Sequence, residues 1–120
     1  MGLSGIRVLV VEDEAFIAML MEDYLQDIGC QVEALASRLD EALSQAETAI
    51  IDAATLDVNL AGELSYKVAK ILRAREIPFI FVTGYGVIGV PEELKEVPVL
   101  SKPFTQAELA TALRALLRLD

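Results

Sequence analysis

Residues 7–16 read RVLVVEDEAF: an unbroken apolar run, Val8 to Val11, meets three carboxylates, Glu12, Asp13 and Glu14. A continuous β-branched run of this kind is what a strand buried on both faces requires, and such strands belong to parallel sheets. The acids then stand at the mouth of a buried strand, where like charges repel. Two of them ~4 Å apart cost roughly 4 kcal/mol at an effective dielectric of about 20. Something else in the chain has to offset that repulsion.

The chain of 120 residues is the size of one ordinary domain, and 54% hydrophobic content fills one core. We therefore expect a single domain over 1–120. No stretch approaches the ~20 uninterrupted apolar residues of a spanning helix, so no membrane insertion is expected. The opening MGLSGIR lacks the apolar h-region of a signal peptide, and the lone Cys30 has no partner for an internal disulfide. These features point to a cytoplasmic protein. Net charge is −9, from 19 acidic and 10 basic residues. That argues against a nucleic-acid surface, which needs basic groups to neutralise phosphates. The chain has no histidine. A Ser-His-Asp triad, a histidine base and a zinc site using His are therefore excluded. Metal chemistry here must use oxygen ligands, which favours Mg²⁺, Mn²⁺ or Ca²⁺.

Working outward from the first strand, Ile6–Val11, the periodicity predicts a helix over Ala15–Ile28, with Asp13 as its N-cap and Gly29 as its stop. Phe16, Leu20, Tyr24 and Ile28 share one stripe; Ile17, Met21 and Leu25 share the next. Gln31–Ala36 reads as a strand, followed by a helix that Ser37 caps. Ala53–Asp57 reads as a third strand, Val58–Glu63 as a loop, and Leu64–Arg75 as a helix with Leu64, Val68, Ile71 and Leu72 on one face. Pro78–Thr83 is a fourth strand. A short helix, Pro91–Glu96, then starts with Pro91 at its first position. Val97–Ser101 is a fifth strand. The last helix, Thr105–Leu119, opens on a capping box, Thr105 with Glu108. The order is β-α five times over, which implies a doubly wound α/β fold, a five-stranded parallel sheet with helices on both faces. The alternation does not fix the strand order; the flavodoxin-like order 2-1-3-4-5 is taken over from known doubly wound sheets.

Ligands of such sheets bind beyond the carboxyl ends of the strands. Glu12 and Asp13 end the first strand, Asp57 the third, Thr83 the fourth and Lys102 the fifth. In the order above, the first and third strands are neighbours, so Glu12, Asp13 and Asp57 converge. A divalent cation and the Lys102 ammonium would balance these three carboxylates. That combination describes a phosphoryl-transfer site.

The set VVEDE, LDVNLAGE, FVTGYG and SKPF, in this order and spacing, resembles the receiver domain of bacterial two-component response regulators, and the resemblance runs from Ile6 to Leu119. It implies that Asp57 is a phosphoacceptor, charged by a sensor histidine kinase or a phosphotransfer protein. It implies Mg²⁺ held by Asp13 directly, by Glu12 through water, by Asp57 and by the backbone carbonyl of Asn59. Thr83 would bond the phosphoryl oxygens and Lys102 would pair with them. Lys102-Pro103 resembles a bond that is cis in the family. The chemistry agrees: Asp57 is ordinarily ionised near neutral pH and needs no histidine base, because the phosphohistidine arrives on the partner. The chain would be a signalling protein with self-catalysed phosphotransfer rather than an enzyme.

Where many receivers carry an aromatic three residues before the lysine, this chain has Val99. Tyr85 follows the threonine instead. The phrase FVTGYG is similar to that of the FATGUY receivers, whose partner kinases include the HWE type. Thr83 and Tyr85 are thus the expected switch. The apolar run AFIAMLM, residues 15–21, exceeds what one buried stripe needs. Ala15, Ala18, Met19 and Glu22, with Pro103 and Phe104, are the expected kinase-docking patch. The Met1 start and the completed last helix favour a stand-alone receiver over an excised domain. Among other readings, a Mg²⁺-dependent phosphohydrolase would want a second acid where Asn59 stands, and a flavodoxin-like cofactor carrier would want a phosphate loop after the first strand. A scaffold-only pseudo-receiver would not need the intact set of site residues.

Overall fold

A computed structural model describes residues 2–84 and 90–119. Strands β1 (Arg7–Val11), β2 (Gln31–Ala36), β3 (Ala53–Asp57), β4 (Phe79–Thr83) and β5 (Val99–Ser101) form one parallel sheet in the order β2-β1-β3-β4-β5. This is the expected flavodoxin-like order. Helices α1 (Ala15–Asp27), α2 (Leu39–Thr48), α3 (Tyr66–Ala74) and α4 (Gln106–Leu116) cover it. The apolar run of β1 is divided by strand alternation. Leu9 and Val11 pack with Ala42 and Ala46 of α2 and Val68, Ala69 and Leu72 of α3. Val8 and Val10 pack with Met21 and Leu25 of α1 and Leu109 and Leu113 of α4. Each valine, leucine or methionine side chain among these, removed fully from water, contributes on the order of 1.5–3 kcal/mol. No helix among the described residues is long and apolar enough to cross a membrane.

Four of the five β-α repeats carry the expected α-helix, and the exception is the short helix at Pro91–Glu96. Only a 3-10 turn, Glu92–Leu94, forms there. Pro91 precedes it with extended ψ instead of opening a helix, and Pro98 forces Val97 out of helical space. The turn is tied to α3 from outside: Lys70 pairs with Glu93, Arg73 pairs with Glu96, and Arg73 also donates to the Glu93 carbonyl. The loop expected over Val58–Glu63 holds a two-residue antiparallel hairpin, Asn59–Leu60 against Glu63–Leu64. Its turn residues, Ala61 and Gly62, both have positive φ (51° and 94°), as the twist-matched two-residue hairpin turn demands.

Two expected helix caps move. Ser37 does not cap α2, whose N-cap is Arg38; its amide and hydroxyl both donate to Glu41 Oε1. Asp13 does not cap α1; that position falls to Glu14, whose side chain makes no capping bond. The Thr105–Glu108 capping box forms as expected, with Thr105 Oγ1 accepting from the Glu108 amide at 3.1 Å. Lys102-Pro103 is cis. The N-terminal segment, unremarkable in sequence, is tied to the turn after α1, where the Gly5 amide donates to the Gly29 carbonyl. Leu3 is buried in the α1/α4 core, and its carbonyl accepts from Cys30 Sγ.

Thr55, in the centre of β3, is buried with its hydroxyl unpartnered. Desolvating an unpaired hydroxyl is unfavourable, and valine has nearly the same shape. Thr55→Val should raise unfolding free energy by ~1 kcal/mol in urea titration; an unchanged or lower midpoint would refute this account of the site.

Candidate active site

The acids at the end of β1 and the acid at the end of β3 are brought together by register: Val11 lies beside Leu56, so Glu12 and Asp57 follow on adjacent strands. Both are buried, Glu12 to 3% exposure and Asp57 to 7%. Lys102, immediately after β5, reaches across to them. Its Nζ lies 3.0 Å from Glu12 Oε1 and 3.2 Å from Asp57 Oδ2. A third contact, to Glu14 Oε1 at 3.5 Å, comes from the exposed rim. Asp13 turns its carboxylate toward the hairpin, accepting the Ala61 amide at 3.0 Å. That bond, spanning 48 positions of sequence, is where the expected N-cap went. The Asn59 amide donates to Asp57 Oδ1 at 3.3 Å, and the Asn59 side chain accepts from the Gly62 amide at 2.7 Å. The hairpin is thus built onto the site. Ala61, a non-glycine at positive φ, holds its strained conformation where it meets Asp13.

One carboxylate oxygen from each of Glu12, Asp13, Glu14 and Asp57 lies within 4.8 Å of the others. An open cleft of about 680 Å³ adjoins them, lined also by Ile17, Leu64, Thr83 and Lys102. Thr83 is buried at the end of β4, and its carbonyl accepts the Lys102 amide at 2.9 Å. Tyr85 lies outside the described residues.

Electrostatics follow from this geometry. Burial raises the Glu12 carboxyl to about 7, against its hydrogen bond to Lys102, which lowers it; the nearby Asp57 charge raises it further. Burial likewise raises Asp57, opposed by Glu12 and Lys102. The Lys102 ammonium is disfavoured by burial, yet its pKa rises because Glu12 and Asp57 hold the proton in place. One ammonium therefore serves a cluster that it cannot neutralise. The donor set is all carboxylate oxygen, which suits a hard divalent cation.

The expected docking patch is only partly exposed. Ala15, Met19 and Pro103 face solvent and Glu22 is half-buried, but Ala18 and Phe104 are buried. Ala18 sits on the core side of α1, and Phe104 packs edge-on against Tyr24 in the α1/α4 core. The exposed aromatic on this helix is instead Phe16, 70% exposed beside Met19 at 55%, although its spacing had placed it on a stripe with Tyr24. Sequence reading also missed two groups at the site: the Glu14 carboxylate and the Ala61 amide. The first was signalled by the third acid of EDE; no residue-type signal marks a backbone amide.

A family model of the response regulator receiver domain matches residues 8–114. Among curated proteins, the transcriptional regulatory protein GltR of Pseudomonas aeruginosa is 33% identical over 98% of this chain and 51% of its own length. The chain thus spans about half the length of the curated relatives it matches. Among solved structures, SdrG from Sphingomonas melonis is 45% identical over 96% of this chain and 97% of its own, with a TM-score of 0.82. The receiver domain of the sensor histidine kinase PA1611 from P. aeruginosa, solved with magnesium coordinated in its active-site cleft, is 26% identical over 96% of this chain and 99% of its own, with a TM-score of 0.79.

Proposed function

Because this chain belongs to the response regulator receiver family of two-component systems, we propose that Asp57 is its phosphoacceptor and that residues 1–120 act as one receiver. The observation that carries this is the buried Asp57 carboxylate at the end of β3, 3.2 Å from the Lys102 ammonium and ringed by three further acids. An Asp57 oxygen attacks the phosphorus of a phosphohistidine presented by a kinase or phosphotransfer protein. The phosphorus–nitrogen bond breaks, and the imidazole leaves with its electron pair. Such transfers ask mainly for positioning and charge neutralisation. Lys102 meets the incoming phosphoryl oxygens as a point charge, and the Thr83 hydroxyl donates to them. Glu12, Asp13, Asp57 and the Asn59 carbonyl would hold Mg²⁺, or Mn²⁺ or Ca²⁺ in its place. When bound, that cation supplies positive charge to the transferring oxygens. Intact-mass measurement after incubation with Mg²⁺ and acetyl phosphate tests the reading: the parent chain should gain one phosphoryl group, and a parent chain that gains none refutes it.

The donor docks, in this reading, on Ala15, Met19, Glu22 and Pro103 together with Phe16, beside the cleft. An exposed aromatic and a methionine one helical turn apart suit a partner's apolar helix face. The HWE subclass of donor rests on the FVTGYG phrase alone, and the switch role of Thr83 and Tyr85 on the same phrase. Phe16→Ala with Met19→Ala should slow transfer from a histidine-phosphorylated donor about tenfold, the effect of losing one interface anchor. Labelling by acetyl phosphate should be untouched. Equal rates from the protein donor would remove the patch from consideration.

A further inference from the structure

Glu14 is the acid that the phosphoacceptor reading leaves without a task. It occupies the N-cap position of α1, yet its carboxylate makes no capping bond. Caps normally spend a side-chain oxygen on the free amides of the first turn. Here the carboxylate leans over the cleft instead, into weak contact with Lys102 at 3.5 Å, while its backbone amide donates to Glu12 Oε2 at 3.2 Å. Its oxygen lies within 4.8 Å of ligand oxygens on Glu12, Asp13 and Asp57. The side chain is 64% exposed, so it can swing. A structural relative, the receiver domain of PA1611, is solved with magnesium coordinated in its own active-site cleft.

We infer that Glu14 is a fourth carboxylate ligand of the cation site and widens that site's selectivity from Mg²⁺ toward Ca²⁺. The inference rests on the proposed cation site and extends it. Mg²⁺ demands a tight octahedron, keeps several waters, and takes one or two carboxylates; Ca²⁺ takes six to eight oxygens in flexible geometry and gains from each added acid. Glu12 and Asp57 are buried and held by Lys102, so they cannot rearrange freely. Glu14 is the mobile member of the set, and a long carboxylate on the rim can close over a larger ion without repacking the core. Its competing tie, to an ammonium that lies closer to Glu12 and Asp57, is easily given up.

Calorimetric titration of MgCl₂ and of CaCl₂ into the metal-stripped full chain at pH 8, for the parent and for Glu14→Gln, tests this. Glu14→Gln should weaken Ca²⁺ at least tenfold and Mg²⁺ threefold or less, with the melting transition retained. Glu14→Asp, a shorter carboxylate, should recover part of the Ca²⁺ affinity. Equal losses for both ions would make Glu14 a distant charge and overturn the inference, as would no loss for either. A parent chain that binds neither ion would overturn the cation site itself, whatever the variants do.

Discussion

Asp57→Ala is expected to abolish phosphoryl uptake and, in cation-free buffer, to unfold at a higher denaturant concentration than the parent chain. In the proposed reading the loss of uptake is complete because the variant lacks the phosphoacceptor itself, the buried acid that ends β3 3.2 Å from the Lys102 ammonium. The gain in stability follows from the charge balance. The Asp57 carboxyl is raised by burial, so its ionised form is less favourable in the folded chain than in the unfolded one. Above the carboxyl's ordinary range, that difference opposes folding. Removing the group also relieves Glu12, which Asp57 pushes upward, and leaves Lys102 to serve Glu12 alone. A gain of ~1 kcal/mol is expected after allowing for the small void left by alanine. Saturating Mg²⁺ should reverse the order, because it stabilises the parent chain by mass action and has fewer ligands in the variant. Urea titrations with and without Mg²⁺ give the answer. A variant less stable than the parent in cation-free buffer would mean that Asp57 is a net structural asset.

The second large effect concerns pH. Glu12 carries a proton in the folded chain up to about 7. A cation that needs this carboxylate must displace that proton, so apparent Mg²⁺ affinity should approach a fall of about tenfold per pH unit well below 7, and fall about 50-fold between pH 7 and 5. Glu12→Gln should flatten the profile. Affinity that does not change between pH 5 and 7 would show that no proton is exchanged. The same group fixes the sign for stability. Between the ordinary glutamate value of 4.5 and about 7, the folded chain holds a proton that the unfolded chain has released. Cation-free stability contributed by Glu12 is therefore present at acid pH and is lost as pH rises through that window. Asp52, lowered chiefly by its hydrogen bond from Arg7, works the other way and below this window: its contribution is present above the ordinary aspartate range and fades as acid returns.

Most of the fold was legible because its signals are local. An apolar run such as VLVV can be satisfied in few ways, and Gly29, Pro78 and the Thr105–Glu108 pair punctuate the chain where the structure does. β2 and β3 fall on the residues read for them. The convergence at the candidate site was legible because strand ends are legible: Glu12, Asp57, Thr83 and Lys102 come together once the sheet order is supplied. The misreadings of Asp13 and Phe16 come from competition over long range. Asp13 looks like a cap until an amide 48 residues away takes its carboxylate. Phe16 looks like core by spacing, but α1 turns Ala18, Met21 and Leu25 inward and leaves it outside. Periodicity states that a helix has an apolar face; it does not state which of two adjacent stripes wins. The turn at Glu92–Leu94 fails as a helix because Pro91 and Pro98 leave room for little more than one turn between them.

Leu3 bears on how this module can be handled. The family match starts at Val8, and β1 at Arg7, so a boundary drawn from either would discard the segment ahead of them. That segment closes the floor of the α1/α4 core with a leucine side chain and bonds across to the α1–β2 turn through the Gly5 amide and the Gly29 carbonyl. A graft or chimera cut at Arg7 would open a hole beneath Val8 and Leu25, at the end of the molecule opposite the acids, and would fail as a scaffold before its chemistry could be tried. The working unit begins upstream of the first strand.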